Sequence, residues 1–181
     1  MIRRSIGALA LAGTILAAVV PVTSAASVVV PPSRSSGTIV GIAVANGDFT
    51  TLVAAVGCAD PAVAAALTSG EQLTVFAPTD AAFGQLGLDA ANVCGAFSQA
   101  TLTDILLYHV EPGRHFSNSV LPMKAGQMKT IHTLLGQSFK VDSTGTIMTT
   151  SGATTPHIVA ANIPATNGVI HVVDAVLVPS L

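Results

Sequence analysis

Behind Asp48, apolar residues recur at Phe49, Leu52, Val53 and Val56, the spacing of one helical face, and Gly57 is placed to end that helix. A second helix is predicted from Asp60-Pro61, where the carboxylate caps and the proline fills the first helical position. Val63, Ala66 and Leu67 form its stripe, and Ser69-Gly70 closes it. The period then changes. Leu73-Thr74-Val75-Phe76-Ala77-Pro78 alternates as a strand does and is followed by a short helix capped by Thr79 or Asp80. Leu102, Ile105 and Leu106 mark a further helix, entered by Thr101 with Asp104 three residues on, in the manner of a capping box. It runs into Leu107-Tyr108-His109-Val110 and is stopped by Pro112-Gly113. From Ser138 the pattern is strand, turn, strand: Phe139 to Val141, a turn at Ser143-Thr144-Gly145, Ile147 to Thr149, a turn at Gly152, and His157 to Ala161. Asn167-Gly168 reads as a hairpin turn, and Val169 to Val178 is apolar on both faces, as for a strand inside a sheet. Helices first and strands last predict an α+β domain.

The region before Thr38 has a different character. Met1-Ile2-Arg3-Arg4 is a positive start, Ile6 to Val20 is an uncharged apolar run broken by Gly7 and Gly13, and Pro21 to Ala26 supplies small residues for a signal peptidase. This predicts a secretory signal peptide over 1–26, cleaved near Ala25-Ala26, a Pro/Ser-rich linker over 27–37 and a single domain over 38–181. No cysteine stands at the cleavage point to carry a lipid and no C-terminal anchor signal is read, so the mature product is expected to lack a transmembrane anchor.

Composition narrows the function classes. Half of the 181 residues are apolar and 9% are charged, which suits a packed globular domain and not a disordered tail. After the signal region the basic residues are Arg34, Arg114, Lys124, Lys129 and Lys140, scattered along the chain, so there is no footprint for a phosphate backbone and nucleic acid is not an expected partner. Cys58 and Cys94 are an even pair in an exported chain, which favours a disulfide over a metal site; two buried free thiols are the alternative. A bridge between them closes a loop for which chain entropy gives about 3 to 4 kcal/mol.

Three segments then line up with one family. Thr74-Val75-Phe76-Ala77-Pro78-Thr79-Asp80-Ala81-Ala82-Phe83 resembles the first signature of fasciclin domains. Tyr108-His109 stands where that family has its Tyr-His pair, and Asn167-Gly168-Val169-Ile170-His171-Val172-Val173-Asp174 resembles the second signature. The resemblance covers about Thr38 to Leu181 and includes the Leu134-Leu135-Gly136 step; the signal style and Ala-rich composition suit the secreted, single-domain bacterial type. It implies a wedge or sandwich of mostly late β-strands packed with the N-terminal helices, in extracellular proteins concerned with adhesion. It also implies integrin contact around the matching positions Tyr108 and His109. Only one copy is present, and one copy bridges two surfaces only if it oligomerises.

The same residues have plainer readings. His109 follows Leu102, Ile105 and Leu106 on one helical stripe, as a hydrogen-bonded core histidine does. His171 shares a strand face with Val169 and Val173, and Asp174 sits among apolar residues and needs a donor. Thr79, Asp80, His109, His171 and Asp174 are therefore expected to make polar pairings that tie the signature segments together. The binding candidates are Tyr108, His109, Glu111, Arg114 and His115, with Glu111 to Ser119 and the Ser/Thr-rich hairpins between Ser143 and Thr155 as recognition loops. No Gly-x-Ser-x-Gly elbow, His-Glu-x-x-His helix or phosphate loop occurs. Asp142-Ser143-Thr144-Gly145 fits a hairpin turn better than a protease motif, and His109 with His115 lacks a further metal ligand. The expectation is a binding module for an extracellular protein or a cell or matrix surface, with no cofactor, no metal and no catalysis. A glycan or small-ligand carrier is the alternative, and an enzyme with an unfamiliar site is a more remote one.

Overall fold

The structure is a computed structural model that describes residues 37–180. The signal peptide read at 1–26 and the linker up to residue 36 lie outside the described residues. Helices α1 (Ile39–Ala45), α2 (Thr50–Cys58) and α3 (Pro61–Thr68) lead into β1 (Leu73–Pro78), and α4 (Asp80–Gly84), α5 (Val93–Ala96) and α6 (Gln99–Tyr108) follow. Then come β2 (Val110–Pro112), α7 (Ser117–Val120), β3 (Met128–His132), β4 (Ser138–Asp142), β5 (Ile147–Met148), β6 (Ile158–Ala165) and β7 (Gly168–Val173). The domain is α+β, as the pattern predicts.

One sheet has the strand order β2-β1-β7-β6, and a second has β3-β4-β5. The β1–β7 pair is parallel, with Leu73 opposite Gly168 and Pro78 opposite Val173; the other pairings are antiparallel. Alternation along β1 and β7 divides the interior in two. Leu73, Val75, Ala77, Val110, Ile170 and Val172 point into a core shared with the helices. Phe76 and Val173 point the other way, into a core with Ile131, Phe139, Val141 and Ile147 of the small sheet. The four-stranded sheet is thus the middle layer, and two of its positions on the small-sheet side, Thr74 and His171, are polar and buried.

Local signals hold for some boundaries and give way to distant contacts at others. Asp60 caps α3 by accepting from the Ala62 amide, with Pro61 at the first position, and Thr79 caps α4 through the Ala82 amide. Helix α2 is different: Phe49 holds the cap position without a side-chain bond, Asp48 is not the cap, and the helix continues through Gly57 to Cys58. Helix α6 is capped one turn before Thr101, by Ser98, whose hydroxyl accepts from the Thr101 amide at 3.1 Å. It ends at Tyr108 rather than at Pro112-Gly113, because Val110 and Glu111 pair with β1.

The last strand stops at Val173; beyond it Ala175, Val176 and Leu177 stay buried outside any strand. The β6–β7 hairpin turns on Thr166-Asn167, since Ala165 and Gly168 are already paired. Helix α1 and strand β3 carry no clear sequence signal; β3 buries only Ile131. Cys58 at the end of α2 is bonded to Cys94 in α5, their Cα atoms 5.7 Å apart.

Candidate functional site

The signature segments meet at the middle of the molecule. β1 and β7 lie side by side, and α6 delivers Tyr108 and His109 beneath them. Tyr108 is fully buried; its ring meets Phe139 edge to face at 5.7 Å, its hydroxyl accepts from the Thr150 amide at 3.2 Å and donates to the Ser138 carbonyl at 3.4 Å. His109 is 3% exposed. The Leu177 amide donates to its Nε2 at 3.0 Å, so the ring proton sits on Nδ1, which donates to the Ile105 carbonyl at 2.7 Å. Burial drives its pKa down to about 4, against a small upward pull from the Ile105 bond. Neither side chain of the Tyr-His pair presents a surface: both belong to the core, the plainer of their two readings.

The other signature polar groups do not form one network. Each reaches the main chain of a different segment. Asp80 Oδ1 accepts from the Thr51 amide at 2.7 Å and Oδ2 from the Thr50 amide and hydroxyl at 3.2 and 2.7 Å, while the Asp80 amide donates to the Asp48 carbonyl. It is the cap that α2 lacks locally, supplied from across the fold. Burial pulls its pKa up, but the Thr50 and Thr51 hydrogen bonds outweigh that and hold the carboxyl below its ordinary value. His171 stacks on Phe76 at 5.5 Å and donates from Nε2 to the His115 carbonyl at 3.0 Å, leaving Nδ1 buried without a partner; burial lowers its pKa. Asp174 accepts from the His157 amide at 2.6 Å.

Asn167, which opens the second signature and is predicted to lie in a hairpin turn, has a further role inside the fold. It is buried at 4% exposure, accepts from the Ile39 amide at 2.9 Å and donates to the carbonyls of Leu67 at 2.8 Å and Ser69 at 3.3 Å. Its carbonyl accepts from the Leu73 amide. One side chain thereby ties the start of α1 and the end of α3 to the β6–β7 turn.

Strand β2 and the loop after it hold the remaining candidates, Glu111 in the strand and Arg114 and His115 in the loop. The Thr74 hydroxyl anchors it, donating to the Gly113 carbonyl and accepting from the His115 amide, both at 2.8 Å. Further along, the Ser117 amide donates to Asn162 Oδ1 at 2.7 Å and Asn162 Nδ2 donates to Ser117 Oγ at 2.8 Å. Glu111 Oε1 lies 3.8 Å from His115 Nε2, and its Oε2 is buried without a partner. Burial raises the Glu111 pKa, offset in part by His115, Lys129 and His132. Arg114 and Phe116 face outward, with the guanidinium 5.5 Å from the ring centroid. The second candidate surface is more inwardly committed: Thr154 and Ser151 donate to the Val176 and Val178 carbonyls, and Asp142 gathers the Thr144 and Thr146 amides into a turn.

The fasciclin-domain family model matches residues 47–179. The chain belongs to the fasciclin family. This domain is 35% identical over 150 residues to Protein sll1483 of a Synechocystis strain, covering 81% of this chain and 76% of that protein. It is 34% identical over 137 residues to the immunogenic protein MPB70 of Mycobacterium bovis, covering 74% of this chain and 65% of that one. It is 31% identical to the pig transforming growth factor-beta-induced protein ig-h3, across 79% of this chain but 19% of that protein. Among solved structures it is similar, at a TM-score of 0.50 and 18% identity, to a domain pair from the insect cell adhesion molecule fasciclin I, covering 68% of this chain and 42% of that one.

Among the described residues no group of three or more His, Cys, Asp or Glu side chains is arranged to hold a metal ion, and no helix is long and apolar enough to cross a membrane.

Proposed function

We propose that this fasciclin domain is exported and acts as an extracellular binding module, docking on a protein of a cell or matrix surface through the loop from Glu111 to Ser119. The observation that carries the reading is the way this loop is held. Thr74, His171 and Asn162 fix its main chain from three strands, while Arg114 and Phe116 stand outside with the guanidinium over the ring. An arginine with an aromatic ring on a preorganised loop is the composition that interface anchors favour, and its rigidity lowers the entropy cost of docking. The disulfide supports export, because such bonds persist in oxidising compartments. The signal-peptide pattern at 1–26 points to the same route.

The test is saturable binding of the purified, oxidised protein to cells and to immobilised matrix proteins, with Arg114→Ala/Phe116→Ala alongside. The double variant is expected to fold as the parent does and to bind at least about tenfold more weakly. Undiminished binding by the folded variant removes this loop from the interface.

A further inference from the structure

A cavity of about 180 Å³ lies between α1, α2 and β1. Its floor is buried, made by Leu52, Val75 and Leu106, and it opens past Val40, Val53 and Gly57. We propose that this cavity is a binding site for a small, uncharged hydrocarbon group, a single ring or a short alkyl chain. This site lies apart from the loop proposed as the docking surface.

Three observations carry the assignment. The first is size: a dry cavity of about 150 Å³ already accepts benzene in a protein interior, and this one is comparable. The second is chemistry. His109 is the one polar side chain in the lining, and both of its ring nitrogens are committed, to the Ile105 carbonyl and the Leu177 amide. The main-chain groups of two other wall residues, the Ile39 amide and the Leu67 carbonyl, are taken by Asn167. A water molecule needs two to four polar partners and finds none on these side chains, so solvent entering the cavity is held weakly and a hydrocarbon displaces it readily. The third is access. The floor is deep, but the lining reaches the surface between α1 and α2, and a Cβ built on Gly57 meets no atom within 4 Å.

The experiment is a titration of the purified protein with benzene, followed through its methyl NMR signals, with a parallel titration by hexanoate. Saturable shifts are expected at Val40, Val53 and Leu67, and Gly57→Leu, which narrows the mouth without touching the core, should weaken them at least about tenfold while the remaining spectrum stays native. Matching shifts with hexanoate assign the site to acyl tails, and shifts with benzene alone assign it to free apolar molecules. The proposal is overturned by the absence of saturable shifts up to the solubility of benzene or by undiminished binding in Gly57→Leu. Shifts confined to a second apolar recess, of about 350 Å³ beside Phe83, Phe97 and Leu102, overturn it as well.

Discussion

Asn167 shows how much a single side chain organises here. Its amide group satisfies one donor and two acceptors left open at helix ends, the Ile39 and Leu67 groups in the interior and the Ser69 carbonyl half-buried. Asn167→Ala leaves the Ile39 amide and the Leu67 carbonyl buried without their partner, and a loss of about 2 to 4 kcal/mol is expected in urea unfolding. A loss under about 0.5 kcal/mol, the range of an ordinary surface substitution, contradicts the role given to it. The sequence offered the turn but not this role, because an asparagine before a glycine is explained equally well by turn chemistry. His109 was more legible. Its place on the stripe with Leu102, Ile105 and Leu106 indicated a core position, and the structure supplies the two hydrogen bonds that such a position requires.

At the scale of elements, the same division recurs between what is local and what is remote. Helix α3 and strand β1 were readable to the residue because their caps, proline and alternation lie within their own segments. Helix α2 was misread at its start, since its cap, Asp80, is thirty residues away in sequence. Strand β3 gave no alternation, as its side chains are exposed apart from Ile131. The β1–β7 pair depends on Gly168: a Cβ there runs into the Leu73 carbonyl and comes within 2.9 Å of Ile39 Cδ1. The obstacle is backbone and cannot rotate away. Gly168→Ala is therefore expected to cost about 3 kcal/mol or more by chaotrope unfolding, whereas a variant within about 1 kcal/mol of the parent shows that the strands separate more easily than this packing allows.

For the whole molecule, the central sheet joins two cores, and the signature residues hold that junction while Arg114 and Phe116 of the loop after β2 face outward. The arrangement carries a pH dependence with a definite sign. His109 has a folded pKa of about 4 against an ordinary value of 6.5, and burial lowers His171 too. The unfolded chain therefore takes up protons first as pH falls. The histidine contribution is full above about 6.5 and is lost as pH falls toward 4, with His109 alone contributing roughly 3 kcal/mol; below that the lowered carboxyl of Asp80 continues the decline. The most direct test of the interior role of the signature residues is an NMR titration of the His109 ring in the folded protein. The account predicts a neutral imidazole, protonated on Nδ1 at neutral pH, with a midpoint near 4 or unfolding before it is reached. A midpoint near 6.5 in a folded chain would place His109 in water and contradict the claim that the Tyr-His pair is part of the core.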